Sequence, residues 1–238
     1  MKIYATISSL IIVVLLLTSS SYALERKQLV NINTDQMIEE TQLAVPCDDG
    51  HINIVWWIPN EFWNATYARD EVTSKADKRL ILNVLKPYII IGIVQADISD
   101  FGAFQYYSKE EILNNLKFTV KTEDGKLQKM VPIEDFDPDL EMIIGMFKPV
   151  LSAAMGNLGQ NLHFYVLKAT DASGRRQLDP YLRGALNVQL GKRDGALLEE
   201  GTLELPINSL YVPRRCPNGK EAYVTWRYCP WTGKKLDE

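Results

Sequence analysis

Residues 117–133 read KFTVKTEDGKLQKMVPI, with polar and apolar side chains alternating on either side of Asp124-Gly125. A period of two is that of a strand with one covered face, and Asp-Gly supplies the positive φ angles of a tight hairpin turn. The stretch therefore predicts two adjacent antiparallel strands. It also sets the expectation for the strands around it, because a hairpin commits its sheet to antiparallel pairing at that point.

Working outward, HINIVWWIP (51–59) is a β-like run rich in Ile, Val and Trp, stopped by Pro59. The residues that follow, 60–88, read as helical, with Leu80, Val84 and Leu85 on one face and Pro87 ending the run. IIIGIVQADIS (89–99) is apolar enough from Ile89 to Val94 to be a buried strand. Ser108 and Glu111 have the spacing of a capping box for KEEILNNL (109–116). Residues 137–160 read as a second helical segment, in which Pro149 predicts a kink or break. NLHFYVLKAT (161–170), GALNVQLG (184–191) and GTLELPI (201–207) read as strands joined by loops at 171–181 and 192–200. Residues 24–44 read as a poorly tied polar arm. The expectation is an α+β fold with a mostly antiparallel sheet, two or three helices and a stapled C-terminal hairpin or loop. A mixed α/β sheet is the alternative, because an apolar run such as 89–94 also suits a central strand of such a sheet.

The first residues address the compartment. Lys2 gives a positive start, Ile7–Leu17 is an apolar stretch broken only by Ser8 and Ser9, and Ser21-Tyr22-Ala23 places small residues at −3 and −1 of a cleavage site. This is the pattern of a secretory signal peptide, and the stretch is short for a membrane span, which takes about 20 apolar residues. Residues 1–23 are expected to be a leader cleaved after Ala23, residues 24–209 an α+β body, and residues 210–238 a cysteine-containing tail packed on it through Tyr211, Trp226 and Trp231. The product is expected to be periplasmic or secreted, with no membrane span in the mature chain.

The chain carries a formal charge of −4, unevenly distributed. Residues 210–238 hold six basic residues against three acidic ones, so the body before them is strongly acidic. An acidic body argues against a nucleic-acid partner.

The three cysteines are Cys47, Cys216 and Cys229, and two of them sit in the tail stretch CPNGKEAYVTWRYCPWTGKKL (216–236). This stretch resembles the Cys-Pro-x-Cys-Gly knuckle of zinc ribbons twice. It departs from that pattern twice as well: the second ligand position holds Gly219 in the first copy and Thr232 in the second. A structural zinc site needs four ligands, and nothing in the spacing directs His51, His163 or Cys47 to this place. In an oxidising compartment the simpler expectation is a Cys216–Cys229 disulfide closing a local loop, with no cofactor and Cys47 left over. Zinc at the tail cysteines is the alternative.

Little else points to chemistry. His51 and His163 are the two histidines, each in a β-like run where a structural role is the ordinary one. Cys47 with either histidine has the residue types of a nucleophile and base. Asp135, Asp137 and Asp139 alternate like the start of an EF-hand loop, but Leu140 and Met146 stand where Gly and Glu are required, so helix capping is the expected role. Trp56, Trp57, Phe62 and Trp63 form the most unusual local composition: a core filling on the first reading, a stacking platform for a sugar or peptide on the second. Asn64-Ala65-Thr66 is a glycosylation sequon. These observations lead to an exported, non-enzymatic binding or envelope-associated module whose partner would be a protein or envelope component. The alternatives are a ligand-binding domain using Trp56–Trp63 and a secreted hydrolase using Cys47 or the carboxylates.

Overall fold

The computed structural model of the chain describes residues 24–47, 50–193 and 198–236. The leader read at 1–23, together with Asp48 and Asp49, lies outside the described residues.

The apolar run after Pro87 becomes strand β3 (Tyr88–Ile98), at the centre of a five-stranded sheet with β1 (Gln42–Ala44), β2 (His51–Ile58), β4 (Phe104–Tyr106) and β7 (His163–Lys168). One edge of β3 pairs with β2, and the other pairs with β7 and β4 in succession. A second sheet has the order β6 (Leu127–Met130), β5 (Leu116–Lys121), β8 (Gly184–Gly191), β9 (Leu198–Leu205). Every one of these pairings is antiparallel, which sets the mixed α/β alternative aside. The chain is α+β.

The reason β3 reads as continuously apolar is that both of its faces are covered. Ile89, Ile91 and Ile93 point into a core shared with Phe118, Val120, Leu186, Val188 and Leu203 of the second sheet. Ile90 and Val94 point the other way, into a core with Trp63, Leu85, Leu140, Ile143 and Leu151. Those last residues come from helices α2 (Asn60–Arg69), α3 (Lys75–Leu85) and α5 (Pro138–Ala154). The molecule is thus layered sheet, sheet, helices. Its middle strands need apolar side chains in both directions, a demand usually associated with parallel sheets. Gly92 stands opposite Trp56 on one neighbour and Phe164 on the other. A Cβ there would come within 2.8 Å of Leu162. The gap in the isoleucine run is the space that these larger side chains fill.

Polar ties cross between the two sheets as well. Asn53 and Gln95, paired in register, are buried: Gln95 donates to the carbonyl of Gly191 at 3.0 Å, and Asn53 donates to the buried carboxylate of Glu199. Lys192 stands 3.8 Å from the same carboxylate. Such contacts are directional where apolar packing is not, so they fix how one sheet sits over the other.

Local signals were obeyed at most boundaries. The hairpin turns at Gly125, whose φ is +79°, with Thr122 and Lys126 closing it at 2.9 Å. Ser108 and Glu111 form the capping box of α4 (Lys109–Asn114). Asp137 caps α5 by accepting from the Asp139 N–H, the role expected of that acidic run. The helical stretch at 60–88 divides into α2 and α3 at a turn where Asp70 accepts from the amides of Val72 and Thr73.

Three expectations are corrected. The arm at 24–44 is firmly held: it contains α1 (Thr34–Thr41), capped by the Asn33 side chain, and buries Ile32 and Met37 in the sheet-to-sheet core. Pro149 does not break α5, which continues to Ala154. The loop expected at 192–200 is already strand from Leu198, where β9 alternates buried and exposed side chains in step with β8.

Residues 25–27 are also tied down. Arg26 bridges to Tyr211, Lys27 donates to the Leu210 carbonyl at 2.9 Å, and Val212 donates to the Glu25 carbonyl at 2.8 Å. Among the described residues no helix is long and apolar enough to cross a membrane.

Candidate binding cleft and the cysteine turns

Trp56 and Trp57 are each 1% exposed and Trp63 is 4% exposed, on successive faces of β2 and the buried side of α2. Phe62 is half-buried and stacks edge-on to Trp56 and Trp63 at 6.4 and 5.2 Å. These rings are core. Trp56 and Trp63 pack with Ile90, Leu85 and Phe147, and Trp57 with the sheet-to-sheet core, so the stacking platform has no surface to offer.

His51 is tied to a carboxylate, its Nδ1 lying 2.9 Å from Asp97. Asp97 also accepts from the Tyr107 hydroxyl at 2.9 Å and stands 3.5 Å from Arg193. Burial and the neighbouring Asp97 push the Tyr107 phenol up to about 12. This knot joins β2, β3 and the end of β8, a structural arrangement. The exposed Cys47 thiol donates to the backbone carbonyl of His51 at 3.2 Å. His163 lies in β7 opposite Ile93, and burial, with Lys148 and Lys109 nearby, lowers its pKa.

The better-built site lies where α2, α3 and the segment after β7 meet, a signal not taken from the sequence. From α3, Arg79, Leu82, Asn83 and Lys86 recur at i, i+3, i+4 and i+7, so one helix face carries them all. Asn60, Glu61 and Asn64 come from the first turns of α2, and Thr170, Gly174 and Arg176 complete the far wall. The enclosed space is about 570 Å³. That is within the range of small-molecule sites, roughly 300–1,000 Å³.

The walls are rigid for identifiable reasons. Arg176 grips the buried Glu61 with both arms, at 2.7 and 2.9 Å, across 115 residues of sequence. Burial works against the Arg176 charge, and the two bonds from Glu61 more than restore it, so its pKa is raised. Asn60 donates to the Lys86 carbonyl at 3.2 Å, joining the start of α2 to the end of α3, and Asn64 donates to the Asn60 carbonyl at 2.8 Å. The Asn64 sequon therefore sits inside a helix, with its amide engaged. The tight turn at 171–175 is held by Asp171, which accepts from the Ser173 hydroxyl and from the amides of Ser173 and Arg175. Those donors hold its carboxyl down at about 2. Glu61 is the one carboxylate among the residues lining the cleft, and Arg176 already occupies it. Arg79 and Lys86 meet no carboxylate among the described residues, which leaves the cleft with two uncompensated cations on an acidic chain.

In the tail, both knuckle-like turns form. The Cys216 amide donates to the Lys220 carbonyl and that of Gly219 to the Cys216 carbonyl, each at 2.8 Å. The second turn repeats this with Cys229 to Lys234 and Gly233 to Cys229, again at 2.8 Å. Gly219 and Gly233 have φ of +81° and +68°, which is why each turn needs its glycine. The turns place two buried thiols side by side, packed with Ala222, Leu236 and Trp226. The two thiols are free in this structure and not bonded to each other. Burial and donation to its neighbour push Cys216 up to about 11. Burial acts on Cys229 in the same direction, but donation from Cys216, Thr232 and the Trp231 amide outweighs it and brings that thiol down to about 7. Among the described residues no three His, Cys, Asp or Glu side chains come together to hold a metal. Among the described residues the zinc alternative thus has two ligands and no third.

Between the cysteines, the two-residue strand β11 (Glu221–Ala222) pairs with β10 (Arg214–Arg215), which precedes Cys216. Arg214 binds the carbonyls of Tyr223, Val224 and Trp226 at 3.1, 3.1 and 2.6 Å. Tyr211 does anchor the tail to the body, but Trp226 packs within the tail itself and Trp231 is largely exposed. The second anchor is Val224, buried in the body core with its amide on Asn208 at 2.8 Å.

No family model, curated protein or solved structure matches this chain.

Proposed function

We propose that this is an exported, non-catalytic binding module that takes a small anionic ligand in the cleft between α2 and α3. The observation that carries the reading is the pair of uncompensated cations, Arg79 and Lys86, beside the Asn83 amide and the fixed guanidinium of Arg176. A carboxylate or phosphate would meet the cations, and a hydroxylated or amide-bearing remainder would meet the asparagines. A positive cleft on an acidic protein concentrates anions locally, so binding weakens as salt rises.

Export rests on the leader pattern at residues 1–23. In an oxidising compartment Cys216 and Cys229, already adjacent, would lose two protons and two electrons to an oxidised thiol-disulfide partner and join. That bond would staple the tail without crossing the body core. N-terminal sequencing of the exported protein should begin at Leu24, and non-reduced peptide mapping should link Cys216 to Cys229.

The binding test uses isothermal titration with inorganic phosphate, citrate and a neutral disaccharide. Phosphate or citrate should bind, and the double variant Arg79→Ala, Lys86→Ala should weaken binding at least about tenfold, as expected for losing charge-assisted hydrogen bonds. Equal binding by the double variant, or binding of the disaccharide alone, would overturn the anion reading.

A further inference from the structure

Helix α5 has a face that the fold leaves without a partner. Leu140, Ile143 and Leu151 bury one side of it against the five-stranded sheet. On the opposite side, Met142, Met146 and Val150 are 62%, 57% and 68% exposed at a spacing of four residues. Gly145 lies on that side too, and a Cβ built there would meet nothing within 4 Å. A helix apolar on both faces is ordinarily covered on both, and a contiguous exposed apolar stripe marks a contact surface.

The charges on α5 say what covers it. Besides Asp139 in the first turn, the helix carries only Glu141 and Lys148. Seven positions apart, these two lie on one side of Gly145 around the helix, with Met142 and Met146 on the other, and are separated by two turns or about 10 Å, too far to pair within one helix. Neither is ion-paired with another described residue. We infer that a second copy of this chain docks on this face, with the two α5 helices antiparallel about a two-fold axis near Gly145. That arrangement sets Glu141 of each copy opposite Lys148 of the other, so each unpaired charge gains its complement and the contact closes on itself. The methionines of the two copies meet over Gly145, whose missing side chain lets the helices approach. Methionine suits such a surface because its flexible thioether adapts to a partner. Pro149 leaves the Gly145 carbonyl without its helical donor.

Sedimentation velocity of the exported chain tests this over a concentration series reaching about 100 µM, a range that detects even weak association. A twofold mass at the upper end is expected. Met146→Lys should raise the dimer dissociation constant at least about tenfold. The residue is exposed, so circular dichroism should show an unchanged fold. Glu141→Lys should weaken the dimer and adding Lys148→Glu should restore it, a reciprocal rescue that a general loss of stability would not produce. A monomer throughout, a dimer indifferent to Met146→Lys, or a failed charge exchange would overturn the inference. So would a monomer that binds phosphatidylglycerol vesicles through Met146, since lipid would then be the occupant.

Discussion

The body and the tail are held by different forces. In the body, two apolar cores sit on either side of one sheet, and single side chains such as Trp56 and Trp57 are almost wholly enclosed. In the tail, the buried apolar residues described are a four-residue cluster of Cys216, Ala222, Cys229 and Leu236, apart from Leu210, Tyr211 and Val224, which belong to the body core. What shapes the tail is polar: two repeated turns, and one arginine gathering three carbonyls. A core of that size cannot offset the entropy of ordering its residues, and small cysteine-rich modules generally need a covalent or metal staple for that reason. The side-by-side thiols sit where such a staple would act most effectively.

The sharpest way to break this contrast is to cut into the body. Trp56→Ala or Trp57→Ala should each destabilise by about 3–5 kcal/mol in urea denaturation, the range for emptying an aromatic site in a packed core. A loss near zero would mean that the rings are not the core they form here. Reduction of a Cys216–Cys229 bond should cost about 3 kcal/mol of local stability in the chain-entropy account of a loop this short. The loss should be confined to the tail, read as faster proteolysis at Arg227 with unchanged body fluorescence and melting. If the body melted with it, the two regions would be one cooperative unit.

Arg214→Ala is a smaller lesion, expected to cost about 1–3 kcal/mol by leaving three carbonyls short of a charged donor. Amide exchange should quicken at 214–226 and nowhere in β3. The mildest test is a titration of the reduced protein. Cys229 has its pKa drawn down to about 7 and Cys216 is pushed up to about 11, so in a Cys47→Ala chain thiolate absorbance should rise in two separated steps. For Cys229 the folded value lies below the ordinary one of 9.0, so its contribution to stability is complete above that value and is lost as pH falls through about 7. For Cys216 the folded value lies above the ordinary one, so its contribution is complete below 9.0 and is lost as pH rises through about 11. A single step for both thiols would show that they do not share a proton.

Much of the architecture was written locally. Asp124-Gly125 specified the hairpin, Ser108 and Glu111 the start of α4, and the two-sided burial of β3 showed as an unbroken apolar run. That run kept a mixed α/β sheet open as the alternative because sequence does not reveal that a second antiparallel sheet covers the other face. The arm at 24–44 misled for a related reason: Ile32 and Met37 are isolated apolar residues among polar ones, and their burial depends on partners far along the chain. The cleft was the least legible feature. Arg79, Asn83 and Lys86 at helical spacing were its one local trace, and a polar helix face is usually just solvated. The pairing that gives them a wall, Glu61 with Arg176, spans 115 residues. The aromatic run drew attention by composition, yet its composition reflected packing.

The strap formed by Glu25, Arg26 and Lys27 closes on Leu210, Tyr211 and Val212, joining the two ends of the body. In a chain that emerges N-terminus first, these residues wait for nearly the whole polypeptide before they find their partners. The central sheet waits too, since β3 needs β7 for its second edge. Contacts of such long sequence separation make folding slow and late. Until those partners arrive, the unpaired edge and apolar faces of β3 stay exposed and prone to aggregate. Variants that weaken the strap should show first as lost yield, before any change in the finished protein's melting.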